Sequence, residues 1–90
     1  MNVKRKIVFV YNPISGSHKL LPVVPIIEKF INNDIYDYEI INTQHKGHAT
    51  EIAREYAARR YDAVIAVGGD GTVNEVGCGL IGSDTALGII

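Results

Sequence analysis

Tryptophan is missing and cysteine occurs once, at Cys78, in a chain of 90 residues. A lone cysteine excludes an internal disulfide and makes a reducing, cytoplasmic setting the default. No apolar run approaches the roughly 18–20 residues of a membrane span. Behind the basic start Met1-Asn2-Val3-Lys4-Arg5-Lys6, the apolar stretch lasts only from Ile7 to Tyr11, too short for the core of a signal peptide. Neither sign of charge prevails. Nine Lys+Arg stand against ten Asp+Glu, a net charge of −1 that argues against a nucleic-acid partner. Internal repeats and shifts of composition are also lacking, so nothing marks a second domain. With 47% hydrophobic and 21% charged residues the chain has a globular mix and is not disordered. A chain of this size buries about two thirds of its unfolded surface. It can build one modest core, but not an active site enclosed between two domains.

The residues present alternate between two periods. Ile7-Val8-Phe9-Val10-Tyr11 is a β-branched and aromatic run, as expected of a strand covered on both faces, and Asn12-Pro13 stops it. A helical pattern follows over roughly Leu20 to Asn32, with Val23, Ile27, Phe30 and Ile31 on one face. Pro22 and Pro25 are tolerated near its first turn. Tyr36 to Thr43 reads as a second strand. Ala49 to Arg60 reads as a helix, because Ala49, Ile52, Ala53, Tyr56 and Ala57 fall on one stripe. Asp62 to Val67 is a third buried strand. Thr72, with Glu75 three residues on, has the form of a capping box for a third helix whose buried face carries Val73, Val76 and Leu80. After a turn at Gly82-Ser83-Asp84, Ala86 to Ile90 begins a fourth strand. The order βαβαβαβ predicts a Rossmann-like three-layer α/β/α fold around a parallel sheet with right-handed crossovers. A fourth strand at the last residue makes the 90 residues read as the front portion of a longer chain.

Three polar segments each follow a strand: Asn12-Pro13-Ile14-Ser15-Gly16 with Lys19 behind it, Thr43 with the loop to His48, and Gly68-Gly69-Asp70-Gly71-Thr72. In a parallel sheet these strand ends share one edge, and ligands of open α/β sheets bind there. The third segment is the most informative. Its glycines let the backbone turn tightly and expose successive N–H groups, and the helix behind it points its positive end at the same place. Phosphate suits such a cradle, with Asp70 holding Mg²⁺ or receiving a proton. The structural alternative is a tight turn with Asp70 at a helix start. The P-loop pattern GxxxxGK[ST] does not occur. A GxGxxG at Gly77, Gly79 and Gly82 falls inside the third helix, where close helix packing explains it better than dinucleotide binding. His45 and His48 have no cysteine or carboxylate cluster at ligand spacing and point to loop or capping roles, and Cys78 reads as inert packing.

Taken together, NPxSG at Asn12–Gly16, Thr43 with Gly47-His48-Ala49, and GGDGTxNE at Gly68–Glu75 resemble the diacylglycerol kinase catalytic family, which includes bacterial lipid kinases and the sphingosine and ceramide kinases. The resemblance implies an ATP-binding domain that transfers a γ-phosphoryl group to a lipid hydroxyl with Mg²⁺. By that resemblance Asn12, Pro13, Ser15, Gly16 and Thr43 line the nucleotide site. Gly68, Gly69, Asp70, Gly71 and Thr72 hold the triphosphate, and Asn74 and Glu75 support the loop from the helix. Asp70 is then catalytically essential, its role being either metal electrostatics or proton acceptance. Family members continue into a second glycine-rich loop and a β-sandwich domain, so residues 1–90 correspond to the N-terminal part of the kinase. Alone, this part is expected to be inactive and to self-associate. It carries no membrane anchor, and its contact with a lipid surface is expected to be peripheral, at the inner membrane. The alternatives are an NAD kinase-like phosphotransferase and a non-enzymatic nucleotide-binding α/β module.

Overall fold

Valine and alanine fill the middle of the sheet because helices cover it on both sides. The computed structural model describes residues 3–13 and 23–90. Strands β1 (Arg5–Tyr11), β2 (Tyr36–Asn42), β3 (Ala63–Val67) and β4 (Ala86–Ile89) are all parallel and stand in the order β2-β1-β3-β4. They alternate with helices α1 (Val23–Phe30), α2 (His48–Ala58) and α3 (Asp70–Leu80). Val8 and Val10 of β1 and Val64 and Ala66 of β3 are fully buried against Ala49, Ile52, Ala53 and Tyr56 of α2 and Val76 and Leu80 of α3. The intervening residues Ile7 and Phe9 point the other way, onto Ile27 of α1. Successive side chains of a strand alternate between faces, so this division makes three layers, as the element order predicts.

The two faces are unequally covered. Ile27 of α1 is buried, but Phe30, expected on the same face, is 74% exposed. One short helix cannot span four strands, and an apolar groove of about 550 Å³ stays open between α1 and Ile65, with Ile26 and Ile90 at its rim. The predicted first residues of the helix, Leu20 to Pro22, lie outside the described residues. Cys78 is exposed, so it does not pack as the sequence pattern suggested.

On the other face α2 and α3 meet at backbone distance. A Cβ on Gly79 would lie 2.5 Å from the Thr50 carbonyl oxygen and 2.7 Å from the Ala53 Cβ, so the middle glycine of the GxGxxG pattern serves helix packing. Helix α2 ends in a Schellman motif. Arg60 takes the left-handed conformation (φ 62°), its N–H donates to the Ala57 carbonyl, and the Tyr61 N–H donates to the Tyr56 carbonyl at 3.1 Å. The Tyr56 and Tyr61 rings meet edge to face across that turn. Among the described residues no helix is long and apolar enough to cross a membrane.

Candidate functional site

From β1 the chain crosses to β2 on one side and, after α2, returns to pair β3 with β1 on the other. The strand order therefore reverses between β1 and β3, and the crevice at the carboxyl ends of those strands is where open α/β sheets take ligands. Hydrogen bonds fix the polar segments at this edge. The Asn12 N–H donates to the Val67 carbonyl at 3.1 Å, and the Thr43 N–H donates to the Tyr11 carbonyl at 2.9 Å. Asn12, Thr43 and the glycine turn thus occupy one edge of the sheet, as expected. Ser15 and Gly16 lie outside the described residues.

The glycine turn is narrower than the sequence implies. Gly68 has φ 150°, a backbone conformation that side-chain-bearing residues rarely adopt. Gly69 is the extended N-cap of α3, which starts at Asp70 rather than after Thr72. Thr72 does not cap the helix. It is a buried first-turn residue, and its N–H donates to the Gly69 carbonyl at 3.0 Å. The expected fan of amides over residues 68–72 therefore loses one member to the helix itself. The amides of Asp70 and Gly71 have no partner among the described residues and lie in the first turn, where the helix dipole is positive. A Cβ on Gly71 would meet nothing within 4 Å, so the space above this turn is open. Asp70 is exposed beside it.

Glu75 also departs from the capping box. Its carboxylate Oε2 accepts the Gly47 N–H at 3.1 Å, and its carbonyl accepts the Thr50 hydroxyl at 2.8 Å. Gly47 can turn there because it adopts φ 86° as the N-cap of α2. Glu75 therefore ties α3 to the loop between β2 and α2, not to its own N-terminus. Next to this tie lies a cavity of about 390 Å³ bordered by Asn12, Pro13, Thr43, Thr72 and Glu75, all from the expected set. Ala49 adds an apolar contact, and Gln44, His45 and Lys46 complete the wall, three residues that sequence reasoning left without a ligand role. Their one sequence signal is position, between Thr43 and the Gly47-His48-Ala49 segment. Gly68, Gly69, Asp70, Gly71 and Asn74 do not border this cavity; they lie in the turn after β3 and in α3.

His45 and His48 have a carboxylate companion that their sequence spacing did not disclose. The first turns of α2 bring Glu51 close enough for one ligand atom of each residue to lie within 4.8 Å of the others. The two rings, however, stack at 4.7 Å between centroids and 18° between planes. The His48 Nδ1 accepts the Gln44 N–H at 2.9 Å. A cation binds in the plane of an imidazole, and two stacked planes do not converge on one point, so this is a stacked pair and not a metal cage. The strongest shifts of ionisation lie elsewhere, where the turn after α2 meets Glu39 of the outer strand β2. The Tyr61 hydroxyl is pushed up to about 12, first by its hydrogen bond to Glu39, and the same bond holds the Glu39 carboxyl below its usual range. Tyr56 also donates to Glu39, and Arg59 lies over both tyrosine rings.

Comparison with known proteins bears on the same segments. The model of the diacylglycerol kinase catalytic domain matches residues 6–90. The chain is 39% identical over 84 residues to a diacylglycerol kinase of Bacillus subtilis (strain 168), covering 90% of this chain and 27% of that protein. It is 37% identical over 67 residues to a diacylglycerol kinase of Staphylococcus haemolyticus (strain JCSC1435), covering 74% of this chain and 20% of that one. A crystal structure of a diacylglycerol kinase from Bacillus anthracis str. Sterne superposes with a TM-score of 0.69 at 29% identity, over 96% of this chain and 33% of that chain. The chain thus spans a third or less of each of these proteins. With a family match running from β1 to the last residue, and with the same sheet in a solved relative, the chain belongs to the diacylglycerol kinase catalytic domain family.

Proposed function

We propose that residues 1–90 form the ATP-binding, N-terminal part of a lipid kinase that transfers the γ-phosphoryl group of ATP to a lipid hydroxyl at a membrane surface. The observation that carries this reading is the meeting of Asn12, Thr43 and the Gly68–Thr72 turn at the reversal point of the sheet. Phosphoryl transfer asks a protein for position and charge neutralisation more than for covalent chemistry. The unpartnered amides of Asp70 and Gly71, at the positive end of α3, suit phosphate oxygens. Asn12 and Thr43, held by the ladders beside them, offer hydrogen bonds to the remainder of the nucleotide. With Asn12 and Thr43 in this role, Pro13 borders the same cavity, Ser15 and Gly16 join the nucleotide site by their resemblance to the family motif, and Asn74 and Glu75 hold the turn and loop from α3.

Mg²⁺ fits this donor set, because it takes one or two carboxylates together with substrate phosphates, and Asp70 is an exposed carboxylate next to the open space over Gly71. When bound, it neutralises charge on the transferred group. Asp70 serves either to hold that ion or to accept the proton of the lipid hydroxyl. The site lies in the cytoplasm, and lipid contact is peripheral.

The test is transfer of label from γ-labelled ATP to diacylglycerol in mixed micelles by the full-length protein with Mg²⁺. Label in phosphatidic acid is the expected result. Labelling of NAD with none in lipid would replace the lipid reading by an NAD kinase-like one. Nucleotide binding with no transfer to either would favour a binding module.

A further inference from the structure

A nucleotide has two ends that need different recognition, and the proposed site so far offers hydrogen bonds beyond the phosphates but no stacking partner for the base. The cavity beside Thr43 carries hydrogen-bonding groups on Asn12, Thr43, Gln44 and Thr72 and apolar contacts from Pro13 and Ala49. His45 is the one aromatic ring on that wall among the described residues.

The His45 ring is held in place. Its Nδ1–H donates to the Lys46 carbonyl at 2.9 Å, since a carbonyl can only accept. One of its faces is covered by His48, whose own Nδ1 is occupied by the Gln44 N–H. His48 in turn is the first residue of α2, directly after Gly47, which Glu75 holds. The loop thus presents two layered rings with both orientations set by backbone bonds. His45 borders the cavity and His48 does not, so of the two layered rings it is His45 that a ligand in the cavity meets. A planar heteroaromatic base would make a third layer. Stacking of this kind discriminates by the size of the π-face, and because the rings are already ordered, little side-chain freedom is lost on binding.

We propose that His45 is the base-contacting, specificity-determining residue of this site, its ring stacking on a purine and favouring purine over pyrimidine nucleoside triphosphates. The inference rests on the nucleotide-binding reading above and adds the base to it. Lys46 stands next to His45 and offers a competing role for the loop, as a contact for phosphates, so the probes must separate base from phosphate.

Titration calorimetry of the full-length protein with MgATP and with magnesium tripolyphosphate, which has no base, makes the separation. For His45→Ala, ATP affinity should fall by about 5- to 100-fold while tripolyphosphate affinity stays within twofold. His45→Phe, which keeps a ring, should recover most of the lost affinity, and wild type should bind ATP more tightly than CTP. Equal losses for ATP and tripolyphosphate in His45→Ala would overturn the proposal, as would no loss for either. Wild-type protein that binds tripolyphosphate as tightly as ATP would overturn it too, while leaving the phosphate site standing. Wild-type protein that binds neither probe would sink the nucleotide reading itself. His45 is exposed and is held by Lys46 and His48 rather than by the core, so the variants should keep the fold, and a thermal melt checks this.

Discussion

Asp70 has two physical reasons to stand where it does, and a conservative substitution separates them. A carboxylate in the first turn of α3 interacts with the helix dipole, a contribution of about 0.3–1 kcal/mol at an exposed position. Asparagine forfeits that amount, which lowers the melting temperature by only a few degrees in a domain of this size. If Asp70 holds Mg²⁺ or takes the proton, Asp70→Asn removes at least about 10²-fold of turnover, far more than the stability loss explains. Lipid phosphorylation and a melt on the same full-length variant check this; parallel loss of both would make Asp70 a structural residue. The glycines of α3 divide in a similar way. Gly79→Ala drives a methyl group into the Thr50 carbonyl and should cost about 1–3 kcal/mol. Gly77 faces open space, so Gly77→Ala should stabilise by about 0.5–1 kcal/mol through helix propensity alone. Denaturant midpoints of the two variants should move in opposite directions.

At the level of elements, the outer strand β2 and the end of α2 are joined by ionisable groups. Tyr61 and Tyr56 donate to Glu39, with Arg59 lying over both rings. The hydroxyl of Tyr61 titrates near 12 in the fold against about 10 in an unfolded chain. Below pH 10 it is protonated in both states and its contribution is complete. Between pH 10 and 12 the unfolded chain gives up the proton while the folded chain keeps it, so stability falls across that window. The depressed carboxyl of Glu39 acts at the other end, stabilising above the ordinary carboxylate range and ceasing to do so as pH drops through its lowered value. Thermal melts should therefore show a plateau with a decline on each side, and Tyr61→Phe should flatten the alkaline decline. A variant that loses stability in parallel with wild type from pH 10 to 12 would show that the pair is not linked to folding. The same cluster puts charge on β2, which guards that edge of the sheet. Strand β4 has no charged residue in Ala86–Ile89.

For the whole molecule, unequal covering of the sheet is the main consequence. Ile26, Phe30, Leu87, Ile89 and Ile90 are exposed around the open groove and the uncharged β4 edge. Apolar surface of this extent draws partners, so the 90-residue chain by itself should self-associate in a concentration-dependent way. It should also show no lipid phosphorylation, since transfer needs charge neutralisation from several sides. Light scattering over a hundredfold range of concentration tests the first expectation. A strictly monomeric species would contradict it.

Local chemistry determined much of this protein before any packing was known. Continuous β-branched runs at Ile7–Tyr11 and around Val64 specify buried strands, the stripe from Ala49 to Ala57 specifies one helical face, and glycines at 68–71 mark a turn that few other residues can make. These signals are legible because each depends on neighbours within a few positions. The strand order, which puts Asn12 beside Val67 and Thr43 beside Tyr11, depends on pairings across 30 to 60 residues, and no local pattern encodes them. Thr72 and Glu75 show the same limit. Their spacing fits a capping box, but the Gly47 amide, 28 residues away, competes for the carboxylate and takes it. Only the tertiary structure could decide that contest, and only it could set His45 against His48 beside the cavity, because the free energy of each contact depends on what else the fold brings within reach.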